Sequence, residues 1–300
     1  MAIHEIDNNP MMAGQVRLIE NIIYAAEDGE ALKMDVLAPW AQRVGYLKSV
    51  PKPDPRPLIV FVQGSSWRRP TMGEQIPELV QFVHYGYVVA TVQHRNSLDG
   101  HPFPAFLEDV KTAIRFLRKH ADEYCIDSKR VVVWGTSSGA NAALLTGLTI
   151  NDPRYESDSY TDQSDTVSAV VSCFGPTDVE ETFEHAENIP GADILQICLF
   201  GDDPQKWPAI KQEMSPLTHV QDSQQYPPFL LLHGDSDEVV AYDQMTKMYD
   251  RLQAAHANVE AYRVKGANHE RDFWSPQIYK IVRQFLDGVV HPDDADDKED

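Results

Sequence analysis

Cysteine is scarce in this 300-residue chain. The three present, Cys125, Cys173 and Cys198, are widely spaced, odd in number and set in apolar runs. That pattern argues against a disulfide framework or a cysteine metal cluster and suits reduced core residues. Long apolar runs are lacking too: no window approaches the length needed to cross a bilayer. The start, MAIHEIDNNPMMAGQVRLIE, has neither the basic head nor the unbroken apolar stretch of a secretory signal. Positive charge is in deficit, with 26 Lys and Arg against 46 Asp and Glu and a formal net charge of −20. A nucleic acid or an anionic membrane would be repelled. No His, Asp and Glu cluster has metal-ligand spacing, so neither a metal nor an organic cofactor is expected. These absences lead to the expectation of a soluble, cytoplasmic protein, with the oligomeric state open.

What is present is enough apolar material, 42% of residues, for one large core. ENIIYAAEDGEALKMDVLAP reads as two strands about an Asp-Gly turn, and the proline-rich PKPDPRP after it cannot be helix. From LIVFVQG onward, short apolar runs alternate with stretches of helical period. In the longest helical stretch Phe106, Val110, Ala113, Ile114, Leu117 and Ala121 fall on one stripe, which predicts one face packed on a sheet. The alternation predicts an α/β protein with a mostly parallel sheet covered by helices on both faces. It breaks between about residues 175 and 228, where short helical pieces separate two core strands. An insertion there would form a small cap over the strand ends, where open parallel sheets bind ligands. The expected organisation is one domain over 1–290 and an acidic tail, 291–300, too polar to fold.

The run RVVVWGTSSGANAALL, residues 130–145, places Gly135-Thr136-Ser137-Ser138-Gly139 between a strand and a helix. The G-x-S-x-G pattern is a modest signal by itself. In the strand–turn–helix setting it is what a nucleophile elbow requires, with Ser137 exposed at the strand end. A serine hydroxyl is a weak nucleophile near neutral pH, so a base and a group that orients the base must lie downstream. FLLLHGDSDEVV supplies an acid just past a buried strand: Asp237 is the better choice and Asp235 the runner-up. VEAYRVKGANHE supplies His269 on a loop after the next strand, whereas His94, His101 and His233 read as surface or structural. An oxyanion needs preorganised N–H donors. Ser138 is expected to give one, and Ser65 and Ser66, in the loop FVQGSSW, the others. Arg95 and Asp109 read as a buried ion pair tying a strand-end loop to the following helix.

At this point the chain resembles a known family. VFVQGSSW, HRNSLDGHPFPAFLEDVKTAIRFLR, VWGTSSGANAA, FGPTD, SPLTHV, PPFLLLHGDSDEVV and GANHE occur in the order found in α/β-hydrolases. Within them they look like the carbohydrate-esterase and feruloyl-esterase-like branch related to hormone-sensitive-lipase-type esterases. The resemblance implies Ser137 as nucleophile, Asp237 as acid, His269 as base, backbone donors at Ser65, Ser66 and Ser138, and Trp67 and Phe174 lining the substrate pocket. It implies a serine carboxylesterase acting through an acyl-enzyme on acetyl-type or hydroxycinnamoyl esters, with an acylated oligosaccharide among the candidate substrates. Arylformamidases and peptidases of this fold are the alternative, and a non-catalytic receptor is a further one. Gln63 stands where the family has histidine, and Ser65 where it has a second glycine. A left-handed backbone at residue 65 would strain serine, while Gln63 keeps hydrogen-bonding capacity to hold the loop.

Overall fold

The computed structural model describes residues 3–8, 14–40, 54–184, 191–222 and 224–291. The Asp-Gly turn joins β1 (Val16–Glu27) to β2 (Glu30–Pro39), with both Asp28 and Gly29 at positive φ. That is the backbone of a tight hairpin whose twist suits the strands. β2 runs antiparallel to β4 (Val88–Val92) in the register Met34 to Val92. From there the sheet is parallel through β3 (Arg56–Val62), β5 (Ile126–Thr136), β6 (Ala169–Cys173), β7 (Phe229–Gly234) and β8 (Val259–Val264). Among the described residues, eight strands stand in the order β1-β2-β4-β3-β5-β6-β7-β8.

Side-chain alternation along the strands explains the two layers of helix. Leu58, Val60 and Val62 of β3 and Val131 and Val133 of β5 enter one apolar cluster, together with Val110, Ile114 and Leu117 of α2 (Ala105–Lys119) and Leu144 and Leu145 of α4 (Ser137–Leu148). Ile59, Phe61, Val132 and Trp134 enter the other, with Leu79 and Phe82 of α1 (Ile76–His84) and Val282 and Leu286 of α10 (Pro276–Val290). The mostly parallel, doubly covered sheet is as expected.

The single apolar face expected for α2 is an underestimate. Lys111 and Arg115, on its polar side, are buried as well. Residues 149–165 fold over them, and Lys111 donates to the Asp165 carboxylate at 2.7 Å and to the Thr149 carbonyl. A buried ion pair does not register as apolar periodicity, so the helix reads as half-exposed from its sequence.

Between β6 and β7, where the cap insertion is expected, lie the short helices α5 (Val179–Glu184), α6 (Ala192–Phe200), α7 (Trp207–Met214) and α8 (Pro216–His219). Residues 185–190 and 223 of that stretch, and the tail beyond His291, lie outside the described residues. Among the described residues, no helix is long and apolar enough to cross a membrane.

Candidate active site

β5 ends at Thr136 and α4 begins at Ser137, which sits at φ 50°. This left-handed turn closes only because its flanking residues have no side chains: a Cβ on Gly135 would overlap the Gly139 carbonyl, and one on Gly139 would overlap the Val62 carbonyl at the end of β3. Backbone therefore packs on backbone, and the serine side chain projects from the tip of the sheet.

The three expected residues meet there. Ser137 Oγ lies 2.9 Å from His269 Nε2, and His269 Nδ1 lies 2.7 Å from Asp237 Oδ2. Nδ1 faces a carboxylate, so it carries the proton of the neutral ring and Nε2 is bare towards the serine. The side chain of Asp237 is buried. Burial would raise its carboxyl, but hydrogen bonds from His233 and His269, the electrostatic attraction of the His269 ring and the Val240 amide hold it well below the ordinary carboxylate range. Its Oδ1 accepts the Val239 and Val240 amides at 2.8 and 2.9 Å. Asp235, the runner-up, is turned away. It accepts from Arg263 Nε and the Gly266 amide, both at 2.6 Å, and so ties β7 to the turn after β8.

His233, read from the sequence as surface or structural, packs against the same carboxylate. It is 1% exposed, and its Nε2 lies 3.1 Å from Asp237 Oδ2 and 2.9 Å from the Val240 carbonyl. Both neighbours are acceptors, so Nε2 carries a proton and donates. The carboxylate thus has four N–H donors around it. Nothing local to the sequence singles out this residue among eleven histidines, because the contact depends on the path of the loop after β7.

The loop after β3 departs from expectation. The positive φ falls on Ser66 (52°) and Trp67 (55°), not on Ser65. The Ser65 amide donates to Ser138 Oγ at 2.9 Å, and the Ser65 hydroxyl donates to the Arg68 carbonyl at 2.6 Å. The expected donor at Ser65 is therefore already engaged, a correction to its assignment. Ser138 is the second residue of α4, so its amide is among the first-turn groups that a helix leaves without an internal partner. Gln63 is buried, and its side-chain oxygen has no partner among the described residues.

Of the two expected pocket aromatics, Phe174 packs its ring in a T-shaped contact with the His269 ring, the centroids 4.8 Å apart. Trp67 does something else. It is 2% exposed, its indole donates to Asn141 Oδ1 at 3.1 Å, and it stacks on Phe183 of α5. It anchors the loop instead of lining an open pocket. A hollow of about 520 Å³ does open beside His269, bounded by Glu238, Val239, Asn268, Arg271 and Asp272. Arg95 and Asp109 pair as expected, at 2.9 Å, and Arg95 also reaches Glu108 and Asp28 of the β1–β2 turn. Among the described residues, no group of three or more His, Cys, Asp or Glu could hold a metal ion.

The sheet order and this site lead to a known group. The profile of the BD-FAE family matches residues 46–252. The chain belongs to the BD-FAE family. It is 30% identical over 224 residues to Esterase LipC of Mycobacterium tuberculosis, which covers 73% of this chain and 54% of that protein. It spans about half the length of the curated relatives it matches. A solved structure described as a truncated form of a carbohydrate esterase from gut microbiota is similar at a TM-score of 0.74 and 25% identity, over 92% of this chain and 96% of the other. A thermophilic esterase from Thermogutta terrifontis shares the fold at a TM-score of 0.71 and 21% identity, over 94% and 95% of the two chains. The fold is that of the α/β-hydrolases.

Proposed function

We propose that this protein is a serine carboxylic-ester hydrolase with Ser137 as nucleophile, His269 as general base and Asp237 as the orienting acid. The observation that carries the reading is the unbroken chain from Ser137 Oγ through His269 to the buried Asp237 carboxylate, at 2.9 and 2.7 Å. In this reaction Oγ attacks the ester carbonyl carbon while Nε2 takes its proton. The resulting imidazolium is held by Asp237 through Nδ1–H. Backbone amides at Ser138 and Ser66 receive the negative charge that develops on the carbonyl oxygen. The tetrahedral species then expels the alcohol, which takes the proton from Nε2, and leaves the acyl group on Ser137. Water repeats the sequence and releases the acid.

The acyl group proposed is acetyl-type or hydroxycinnamoyl, and the alcohol a sugar or another small polar molecule. What supports the alcohol side is the hollow beside His269, whose rim offers Glu238, Asn268, Arg271 and Asp272, together with the likeness to a carbohydrate esterase. The test compares kcat/KM across p-nitrophenyl acyl esters, methyl ferulate, acetylated xylo-oligosaccharides and N-formylkynurenine. Esters should lead, and Ser137→Ala protein should be inactive on all of them. A preference for N-formylkynurenine would replace the ester reading by amide hydrolysis, and active Ser137→Ala protein would remove the serine mechanism.

A further inference from the structure

Three side chains on the turn that carries Ser137 reach across to the loop after β3. Thr136 Oγ1 accepts the Gly64 amide at 2.8 Å, Ser138 Oγ accepts the Ser65 amide at 2.9 Å, and Asn141 Oδ1 accepts the Trp67 indole N–H at 3.1 Å. They stand one residue before the serine, one after it and one helical turn beyond. All three are buried. The fit is close: a Cβ on Gly64 would come within 2.8 Å of Ser137 Cβ. Asn141 uses both its donors on the other side, where Nδ2 donates to the Pro176 carbonyl at 3.1 Å and to the Met214 carbonyl at 3.0 Å. One amide with both its polar atoms engaged thus joins the β3 loop, the segment after β6 and the end of α7.

We propose that Thr136, Ser138 and Asn141 are positioning residues, a clip that holds the β3 loop in register with Ser137 so that its backbone donors meet the oxyanion. The proposal rests on the reading of Ser137 as nucleophile. Two consecutive non-glycine residues of the loop, Ser66 and Trp67, sit at positive φ, a conformation that persists only where surrounding contacts over-determine it. The clip supplies those contacts. It takes up the amides of Gly64 and Ser65, which leaves the Ser66 amide as the loop's donor beside that of Ser138. Oxyanion donors act by being fixed before the charge appears, and sites lose rate when their supporting contacts are loosened by a fraction of an ångström. The clip should therefore act on kcat and leave substrate affinity alone.

The experiment uses the full chain with p-nitrophenyl acetate, and runs steady-state kinetics, fluorophosphonate labelling and thermal melts side by side. Thr136→Val and Ser138→Ala should each lower kcat about three- to tenfold with KM within about twofold, as expected when one positioning hydrogen bond is lost. Thr136→Ser, which keeps the acceptor, should stay within about twofold of the parent. Trp67→Phe removes the donor to Asn141 and keeps a ring in place, so it probes that link without cutting the polar centre out of Asn141. It should lose kcat by a similar factor. Labelling should still run to one phosphonate per chain in every variant. An unchanged kcat in the Thr136→Val, Ser138→Ala double variant, with labelling complete, would refute the clip alone, as would a loss confined to KM or to melting temperature. Failure to label the parent protein would refute the nucleophile and the clip with it.

Discussion

Replacing Asp237 by asparagine tests the candidate triad most directly, because the change keeps the shape and reverses one hydrogen-bonding direction. The native carboxylate is surrounded by donors: the Val239 and Val240 amides on Oδ1, and His269 Nδ1 and His233 Nε2 on Oδ2. An asparagine can present its oxygen to only one of these pairs. If the oxygen faces the two backbone amides, the NH2 group meets the two imidazoles. His269 must then accept at Nδ1 and carry its proton on Nε2, where it donates to Ser137 and cannot take the serine proton. If the amide is flipped, its NH2 opposes two buried backbone N–H groups. The first arrangement leaves the fold intact and the base in the wrong tautomer, which costs roughly 10⁴ in kcat, about 5 kcal/mol of activation free energy. The assay is kcat for p-nitrophenyl acetate on protein whose melting curve shows it to be folded. Asp235→Asn serves as the paired control. It should change kcat by less than about threefold, since Asp235 bonds Arg263 and Gly266 and not His269. Folded Asp237→Asn protein with parental kcat, or equal losses in the two variants, would refute the assignment.

Other outcomes follow from the same geometry. Ser137→Ala and the Ser137→Ala, His269→Ala double variant should lose nearly the same activity, on the order of 10⁵ to 10⁶ in kcat; additive losses measured by single-turnover kinetics would show that the two do not act as a unit. The pH profile of kcat/KM should carry no ionisation of Asp237 in the range where the enzyme is active. Asp237 stays ionised through that range because its carboxyl is held below the usual values. An ionisation that steepens the acid limb and disappears in Asp237→Asn would count against this. By linkage, a depressed carboxyl adds stability above its unfolded pKa and loses it as pH falls through the folded value. The stability gap between parent and Asp237→Asn in urea titrations should therefore shrink on acidification and not on alkalinisation. Asp165→Asn strands the buried Lys111 ammonium, whose side chain is 0% exposed. Breaking a buried pair typically costs about 3–5 kcal/mol, which for a domain of this size lowers Tm by about 5 to 8 °C; a shift below about 1 °C in calorimetry would show that Lys111 finds another partner.

What the sequence by itself determined was local. The Asp28-Gly29 hairpin, the succession of apolar strands and the strand–turn–helix around Ser137 each follow from constraints within a few residues: turn residues, side-chain period, and glycines where backbone meets backbone. The order of Ser137, an acid and His269 was legible for the same reason, since each stands just past a recognisable strand. Which acid faces the imidazole was decided by the tertiary structure, because Asp235 and Asp237 differ only in where the loop after β7 sends them. His233 beside that acid, the Ser65 amide taken up by Ser138, and Trp67 turned inward onto Asn141 are contacts of the same kind. The last two join residues more than seventy positions apart, and the Ser137–His269 contact spans 132. No period or turn signal encodes such a pairing. It exists only after the parallel sheet has brought the ends of β3, β5, β7 and β8 to one edge, where hydrogen-bond geometry selects among side chains that look equivalent along the chain.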